Sequence, residues 1–427
     1  MHCDPRFSRV REVFERNFAD GEELGAAFAV YLNGEPVVDL WDGVADRHTG
    51  RAWERDTPAF AYSCTKALTA AVLLRLVEQG LVDVRAPVAA YWPEFAAGGK
   101  EAVTVEHLLS HQAGLPVVAE PVPVEEFEDQ PAIAARLAGQ EPLWEPGSAH
   151  GYHALTYGFL VGEVIRRVTG KSVGELVAAE IAGPLDLELW VGAPEEVIAR
   201  TARLKARERP DVTETPAGER TSAADNPAGE RPGAAETPAG ERPGTTGAPS
   251  GAGTGATEGQ AGGRPDDVLA RMVQAALDPH SLMNRALGNP GMHLLKGGAN
   301  NPVILRAGWP AAGVVTTARG LAGFYRALIS GDLLRQETLT EALRPRVNGP
   351  DRVLLLDTSF GLGFMRPSLT FPTPSPTAFG HSGMGGSIGW GDPGRGLAIG
   401  YVMNRMADAV SGNLRALRLV QSVYDSL

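Results

Sequence analysis

Strand-like sequence stands toward both ends of this chain, and helix-forming sequence fills the middle. Near the start, "GAAFAVYL" and "EPVVDLW" flank Asn33–Gly34, a dipeptide that accepts the positive φ angles of a tight hairpin turn. Far along the chain come four more strand-like runs, "RVLLLD", "GLGFM", "GGSIGW" and "LAIGYVMN". Strands this far apart are united most simply in one antiparallel sheet built from both termini and flanked by helices, with a helical subdomain inserted between them. The expected class is therefore α/β in the broad, α+β sense.

The helical stretches carry their own punctuation. Residues 6–19 have an amphipathic pattern, and 63–79 form an apolar run ended by Gly80. "TVEHLLSH" (104–111) is a short helix ended near Gly114, and residues 154–170 form one stopped by Gly170. Residues 172–185 open on Ser172 as an N-cap, 316–331 begin with threonine, and "AVSGNLRALRLVQSVY" is a final helix.

Residues 206–265 differ from all of this. They are rich in Gly, Pro, Ala, Thr and Glu, and contain "TPAGER" from Thr215, "NPAGER" from Asn226 and "TPAGER" from Thr237, spaced by 11 residues. An 11-residue period suits a right-handed coiled coil, but each unit carries Pro and Gly and has no apolar stripe. Such a segment buries too little surface to offset its chain entropy. The expectation is a disordered insertion within a single catalytic domain spanning 1–427.

The net charge of −12 argues against nucleic acid or an anionic membrane as partner, since both demand a positive field. The two cysteines, Cys3 and Cys64, make neither a disulfide framework nor a zinc site. The N-terminus lacks a charged start followed by an apolar stretch, and no apolar run approaches the ~20 residues of a membrane span. These features suggest a soluble, cytoplasmic protein.

The chemistry centres on "AYSCTK", residues 61–66. An extended run precedes Ser63 and a helix follows it, so Ser63 lies at a helix N-terminus, where free N–H groups favour developing negative charge. Lys66 follows about one turn later on the same face. The helix is apolar nearly all round from Ala67 to Val77, so it is buried. A desolvated lysine loses proton affinity and becomes a plausible base for a serine nucleophile. The plain alternative is that Ser63 only caps the helix and Lys66 snorkels to the surface, for S-x-x-K is a common spacing. Two further segments bear on the choice. "WEPGSAHGYHALTYG" sets Tyr152 before a helix, and "AFGHSGMGGSIGW" sets His381, Ser382 and Gly383 at the start of a late strand.

Together these segments resemble the serine hydrolases of the class C β-lactamase and penicillin-binding-protein superfamily, with the strongest likeness to the family VIII carboxylesterases. The family's ordered motifs S-x-x-K, Y-x-N and K-T-G or H-x-G correspond to Ser63-Cys64-Thr65-Lys66, Tyr152-His153-Ala154 and His381-Ser382-Gly383. "VEHLLSHQAGLP" (105–116) is similar to another family segment. The resemblance spans roughly 10–200 and 266–427 and implies a β-lactamase/transpeptidase-like fold. It implies that Ser63 forms an acyl-enzyme, and that Lys66 and Tyr152 share general-base duty, with the Tyr152 pKa lowered by neighbouring positive charge. It also implies an oxyanion hole from the backbone N–H groups of Ser63 and Met384. His381 would line the strand side, with Ser382 and Gly383 in the substrate pocket, and no cofactor or metal would be needed.

Two positions depart from the lactam-hydrolysing pattern. Ala154 stands where those relatives carry Asn, and His381 where they usually carry Lys. A mostly neutral imidazole anchors a substrate carboxylate less firmly than an ammonium. Both changes point toward a serine esterase acting on small neutral carboxylic esters. β-Lactamase or D-amino-acid peptidase activity, or a non-catalytic binding role, is the alternative.

Other motifs compete with this reading. Gly170-Lys171-Ser172-Val173-Gly174 and Gly385-Gly386-Ser387-Ile388-Gly389 both match G-x-S-x-G, but neither serine lies between a strand and a following helix, as a nucleophile elbow requires. His107 and His111 are spaced like zinc ligands, yet the glutamate of H-E-x-x-H is missing. Cys64 has no His base near it in sequence and reads as a small buried residue.

Overall fold

The computed structural model describes residues 1–206, 265–407 and 413–427. Apart from its two end positions, the expected insertion at 206–265 lies outside the described residues.

The Asn33–Gly34 turn forms as expected, with φ of 51° and 88°. It joins strands Gly25–Leu32 and Glu35–Asp46, and a register shift between Val30 and Tyr31 adds local twist. Three later strands complete the main sheet: Phe379–Ser382, Ile388–Asp392 and Leu397–Met403. Leu397–Met403 pairs antiparallel with Gly25–Leu32 from Leu397↔Leu32 to Met403↔Ala26. The sheet is thus closed at its centre by the two ends of the chain, while His2–Cys3 adds a short edge strand beside Val38 and Asp39.

Each face of the sheet has its cover. On one face lie helices Ser8–Ala19 and Leu414–Tyr424, whose Phe14, Val420 and Val423 join Phe28, Val30 and Ile399 in one cluster. Against the other face packs helix Ala318–Ser330, capped by the Thr317 side chain. Gly400 permits its close approach, because a Cβ there would collide with the Ala318 carbonyl. Burying each such Phe, Leu or Val side chain is worth about 1.5–3 kcal/mol.

Beyond that helix lies the helical subdomain. Its axis is helix Thr65–Glu78, buried from Thr65 through Leu74, beside helix Thr156–Thr169, which ends on a left-handed Gly170. A small sheet of Ala59–Phe60, Val314–Thr316 and Leu189–Val191 brings the start of the Thr65 helix to the chain near 314. There Ala61 N–H donates to Val314 O at 2.9 Å, and Val314 N–H to Thr65 Oγ1 at 2.9 Å.

Some expected elements differ. "RVLLLD" (352–357) is a turn rather than a strand. Val353 and Leu354 N–H are captured by the Asp351 carboxylate, and Leu355 takes a φ of 61°. "GLGFM" contributes only bridges at Met365. Helices Gln130–Gly139 and Leu282–Gly288 stand where no helix was expected. Their side-chain N-caps, Asp129 and Ser281, are the signal that marks them in the sequence.

Candidate active site

The approach to Ser63 is kinked. Tyr62, a bulky residue, has a φ of 46°, and a single 3₁₀ turn over Tyr62–Cys64 leads into the Thr65–Glu78 helix. A positive φ at such a residue costs of order 1–3 kcal/mol and is kept only where the surroundings enforce it. Here Tyr62 packs edge-on against Phe60, with ring centroids 4.7 Å apart, and its hydroxyl reaches Met406 Sδ at 3.5 Å. The kink leaves Ser63 half-buried at the foot of a cavity of about 470 Å³. Ala154, Leu155, Leu287, Met292 and Met384 form much of its apolar wall. Arg47 and Arg203, both exposed, also line it.

Lys66 is fully buried at 0% exposure. Its Nζ lies 3.2 Å from Ser63 Oγ, 2.8 Å from Ala154 O and 3.0 Å from Ala311 O. Burial holds its pKa well below the usual lysine value. A neutral amine has two N–H groups and one lone pair. In that neutral form the two carbonyls take the N–H groups and the lone pair is left for the Ser63 hydroxyl; in the protonated form all three contacts accept from Nζ.

Tyr152 reaches the same point from the other side. Its ring centroid lies 4.7 Å from Lys66 Nζ, and an interaction of its hydroxyl with Ser63 acts to lower its pKa. Phe360 stacks on the ring at 6.0 Å and 12°, with His111 at 5.0 Å. The phenol pKa is raised, chiefly by burial. This is opposite in direction to what the resemblance implies: the cost of desolvating a phenolate dominates, and the interaction with Ser63 offsets it only in part. Tyr152 therefore holds its proton.

His381 is 1% exposed, the third residue of strand Phe379–Ser382 and paired with Gly389. Its Nδ1 lies 2.8 Å from the Ser382 carbonyl, which assigns the proton to Nδ1. Nε2 is buried and unpartnered among the described residues. Burial pushes the imidazole down to about 3, with Lys66 adding to the effect, so the ring is neutral.

The structure divides the expected glycine-rich set. Met384 lines the cavity beside Ser63, whereas the buried Ser382 side chain meets Met365 Sδ at 3.7 Å. Gly383 packs under the turn that leads into Ser63, where a Cβ would strike the Ala61 carbonyl. Neither Ser382 nor Gly383 lines this cavity, whereas Met384 does.

The competing motifs resolve into structural roles. Ser172 makes a reciprocal capping box with Glu175, and Ser387 is fully buried. His107 caps its helix through Thr104, while His111 Nδ1 accepts from His153 N–H at 3.1 Å. Cys64 is buried, with its thiol pushed up to about 12 by burial, too high for a nucleophile near neutral pH. Asn404, without an assigned chemistry in the sequence, donates from Nδ2 to Val44 O and Ala45 O at 2.8 and 3.0 Å.

The sequence model of the family described as Beta-lactamase matches residues 10–423. Among curated proteins, the chain is 34% identical over 420 residues to "Esterase/beta-lactamase LipL" of Mycobacterium tuberculosis, covering 95% of this chain and 82% of that one. Among solved structures, it is similar to a family VIII carboxylesterase, with 33% identity, a TM-score of 0.79, and coverage of 100% of this chain and 99% of the other. A penicillin-binding-protein homologue from Caulobacter crescentus gives 36% identity and a TM-score of 0.77, with the same coverage.

Proposed function

Because the chain belongs to the Beta-lactamase family, and has its β-lactamase/transpeptidase-like fold, we propose that it is a serine esterase that cleaves small neutral carboxylic esters through an acyl-enzyme on Ser63. The observation that carries this reading is the placement of Lys66: buried, its two N–H groups taken by carbonyls, its nitrogen 3.2 Å from Ser63 Oγ.

In the acylation step, Lys66 Nζ accepts the Ser63 proton as Oγ bonds to the ester carbon. The carbonyl π pair moves to oxygen, where the backbone N–H groups of Ser63 and Met384 stabilise the oxyanion. Collapse expels the alcohol, and Tyr152, which holds its proton, delivers it to the departing oxygen. The lysine ammonium then restores the phenol. Water repeats the sequence on the acyl-enzyme, releasing the acid and regenerating Ser63. Neutral His381 offers Nε2 as an acceptor on the strand side.

The relatives' names include both esterase and β-lactamase. The ester reading is supported over the lactam one by the neutral imidazole at His381 and by Ala154, whose contribution is its backbone carbonyl to Lys66. The test is steady-state hydrolysis of p-nitrophenyl butyrate by wild type and Ser63→Ala, with nitrocefin alongside. Turnover of the ester by wild type alone supports the proposal. Equal turnover by the Ser63→Ala variant removes Ser63 from the chemistry.

A further inference from the structure

A buried carboxylate stands behind Tyr152. Asp351, 2% exposed, lies in the turn after strand Val347–Pro350 and before its partner Asp357–Phe360. Its Oδ1 accepts from Val353 and Leu354 N–H at 2.8 Å each, which closes the turn. The same oxygen accepts a third bond, from the backbone N–H of Tyr152 at 3.0 Å, which the turn does not require. Oδ2 accepts from the Thr358 hydroxyl at 3.1 Å, and Thr358 Oγ1 lies 2.8 Å from His150 Nε2. Arg352 N–H donates to His150 O at 3.1 Å. One hairpin therefore grips the 150–152 segment at both residues flanking Gly151.

The grip extends to the ring. Phe360, the last residue of that hairpin's second strand, stacks on Tyr152 within 12° of parallel. Backbone N–H and ring face are thus set by the same element, which leaves the phenol little freedom except along the direction of Ser63. Burying a carboxylate costs free energy unless its lone pairs are filled, and here all four bonds go to neutral donors. An asparagine or serine could close the turn alone.

We propose that Asp351 is a positioning residue for the Tyr152 phenol, holding the hydroxyl in register with Ser63 through the Tyr152 main chain. The inference rests on the reading of Tyr152 as a proton donor to the leaving group. A misplacement near 1 Å in such a group lowers the rate by about a hundredfold.

The test is a double-mutant cycle on hydrolysis of ethyl butyrate, whose poor leaving group needs a proton, with Asp351→Ala, Tyr152→Phe and the pair. Asp351→Ala is expected to lower kcat about tenfold to a hundredfold, with KM little changed. In the Tyr152→Phe background it is expected to cause almost no further loss, because there is no hydroxyl left to misplace. Asp351→Asn, which keeps an oxygen for the three N–H groups, should recover most of the rate. Equal losses from Asp351→Ala in both backgrounds would reduce it to a stabiliser of the fold and overturn the proposal. If Tyr152→Phe is as fast as wild type, the reading of Tyr152 falls and this inference falls with it. Should Asp351→Ala not fold, Thr358→Val removes only the hydroxyl on Oδ2. Its smaller loss must likewise vanish in the Tyr152→Phe background, and persistence there counts against the proposal.

Discussion

Lys66 Nζ approaches Ser63 Oγ to 3.2 Å while its remaining bonds go to the carbonyls of Ala154 and Ala311. The two residues share one turn of chain, but the carbonyls that fix the amine beside the serine come from positions 88 and 245 residues away from Lys66. Neither carbonyl can neutralise an ammonium, so the site favours the free amine.

Lys66→Ala should therefore lower kcat for p-nitrophenyl butyrate about a hundredfold or more, the usual size of a lost general base. A stopped assay with a fluorophosphonate probe should show slowed labelling of Ser63 in parallel. Near-wild-type rates in both would take Lys66 out of the mechanism.

Tyr152→Phe should also cost about a hundredfold in kcat, and the loss should shrink for esters with good leaving groups. A phenol that donates its proton to the alcohol matters most when that alcohol is a poor leaving group. Rates for p-nitrophenyl and ethyl esters of the same acid, compared between wild type and variant, decide this.

The pH profile follows from burial. Lys66 is held well below its ordinary 10.5, so kcat/KM should rise as pH increases through the lowered value and level off well before 10.5. His381, pushed down to about 3, should add no limb between about pH 5 and 8. The acid limb should be the same in wild type and His381→Asn, and a limb lost in that variant would reassign it to the imidazole.

Stability carries the same signature. The unfolded chain protonates Lys66 below about 10.5, while the folded state resists until its lowered pKa is reached. Stability from this group is present above 10.5 and is lost as pH falls toward the folded value. The difference in melting temperature between wild type and Lys66→Met should therefore shift in favour of the variant as pH is lowered. The unpaired carbonyls of the variant add only a constant offset. A difference independent of pH would mean Lys66 stays protonated when folded.

Gly383→Ala should depress kcat by about a hundredfold, comparable to losing one oxyanion donor, with a smaller effect on melting. The added Cβ meets the Ala61 carbonyl under the nucleophile turn, pushing the Met384 N–H away from Ser63. Unchanged kcat would show that the strand can shift without moving that donor.

The sequence carried the parts of this site that depend on local pattern. The Asn33–Gly34 turn, the apolar helix behind Lys66 and the Ser172 cap each follow from residues a few positions apart. What it hid depends on long-range contact. Nothing near Tyr62 foretells its positive φ, which is imposed by Phe60 and Met406. "RVLLLD" reads as a strand because its apolar residues are consecutive, yet Asp351 just before it gathers the N–H groups a strand would need. The burial that raises the Tyr152 pKa is hidden for a similar reason, since residues distant in sequence, such as Phe360, enclose the ring.

The pairing of Leu397–Met403 with Gly25–Leu32 also orders events in time. During synthesis Ser63, Lys66 and Tyr152 emerge well before the strand that fills the middle of the sheet. Closing contacts across so much chain is slow, and until they close Gly25–Leu32 lacks its central neighbour. A chain interrupted before Leu397 would thus carry Ser63, Lys66 and Tyr152 on a sheet without its central strand.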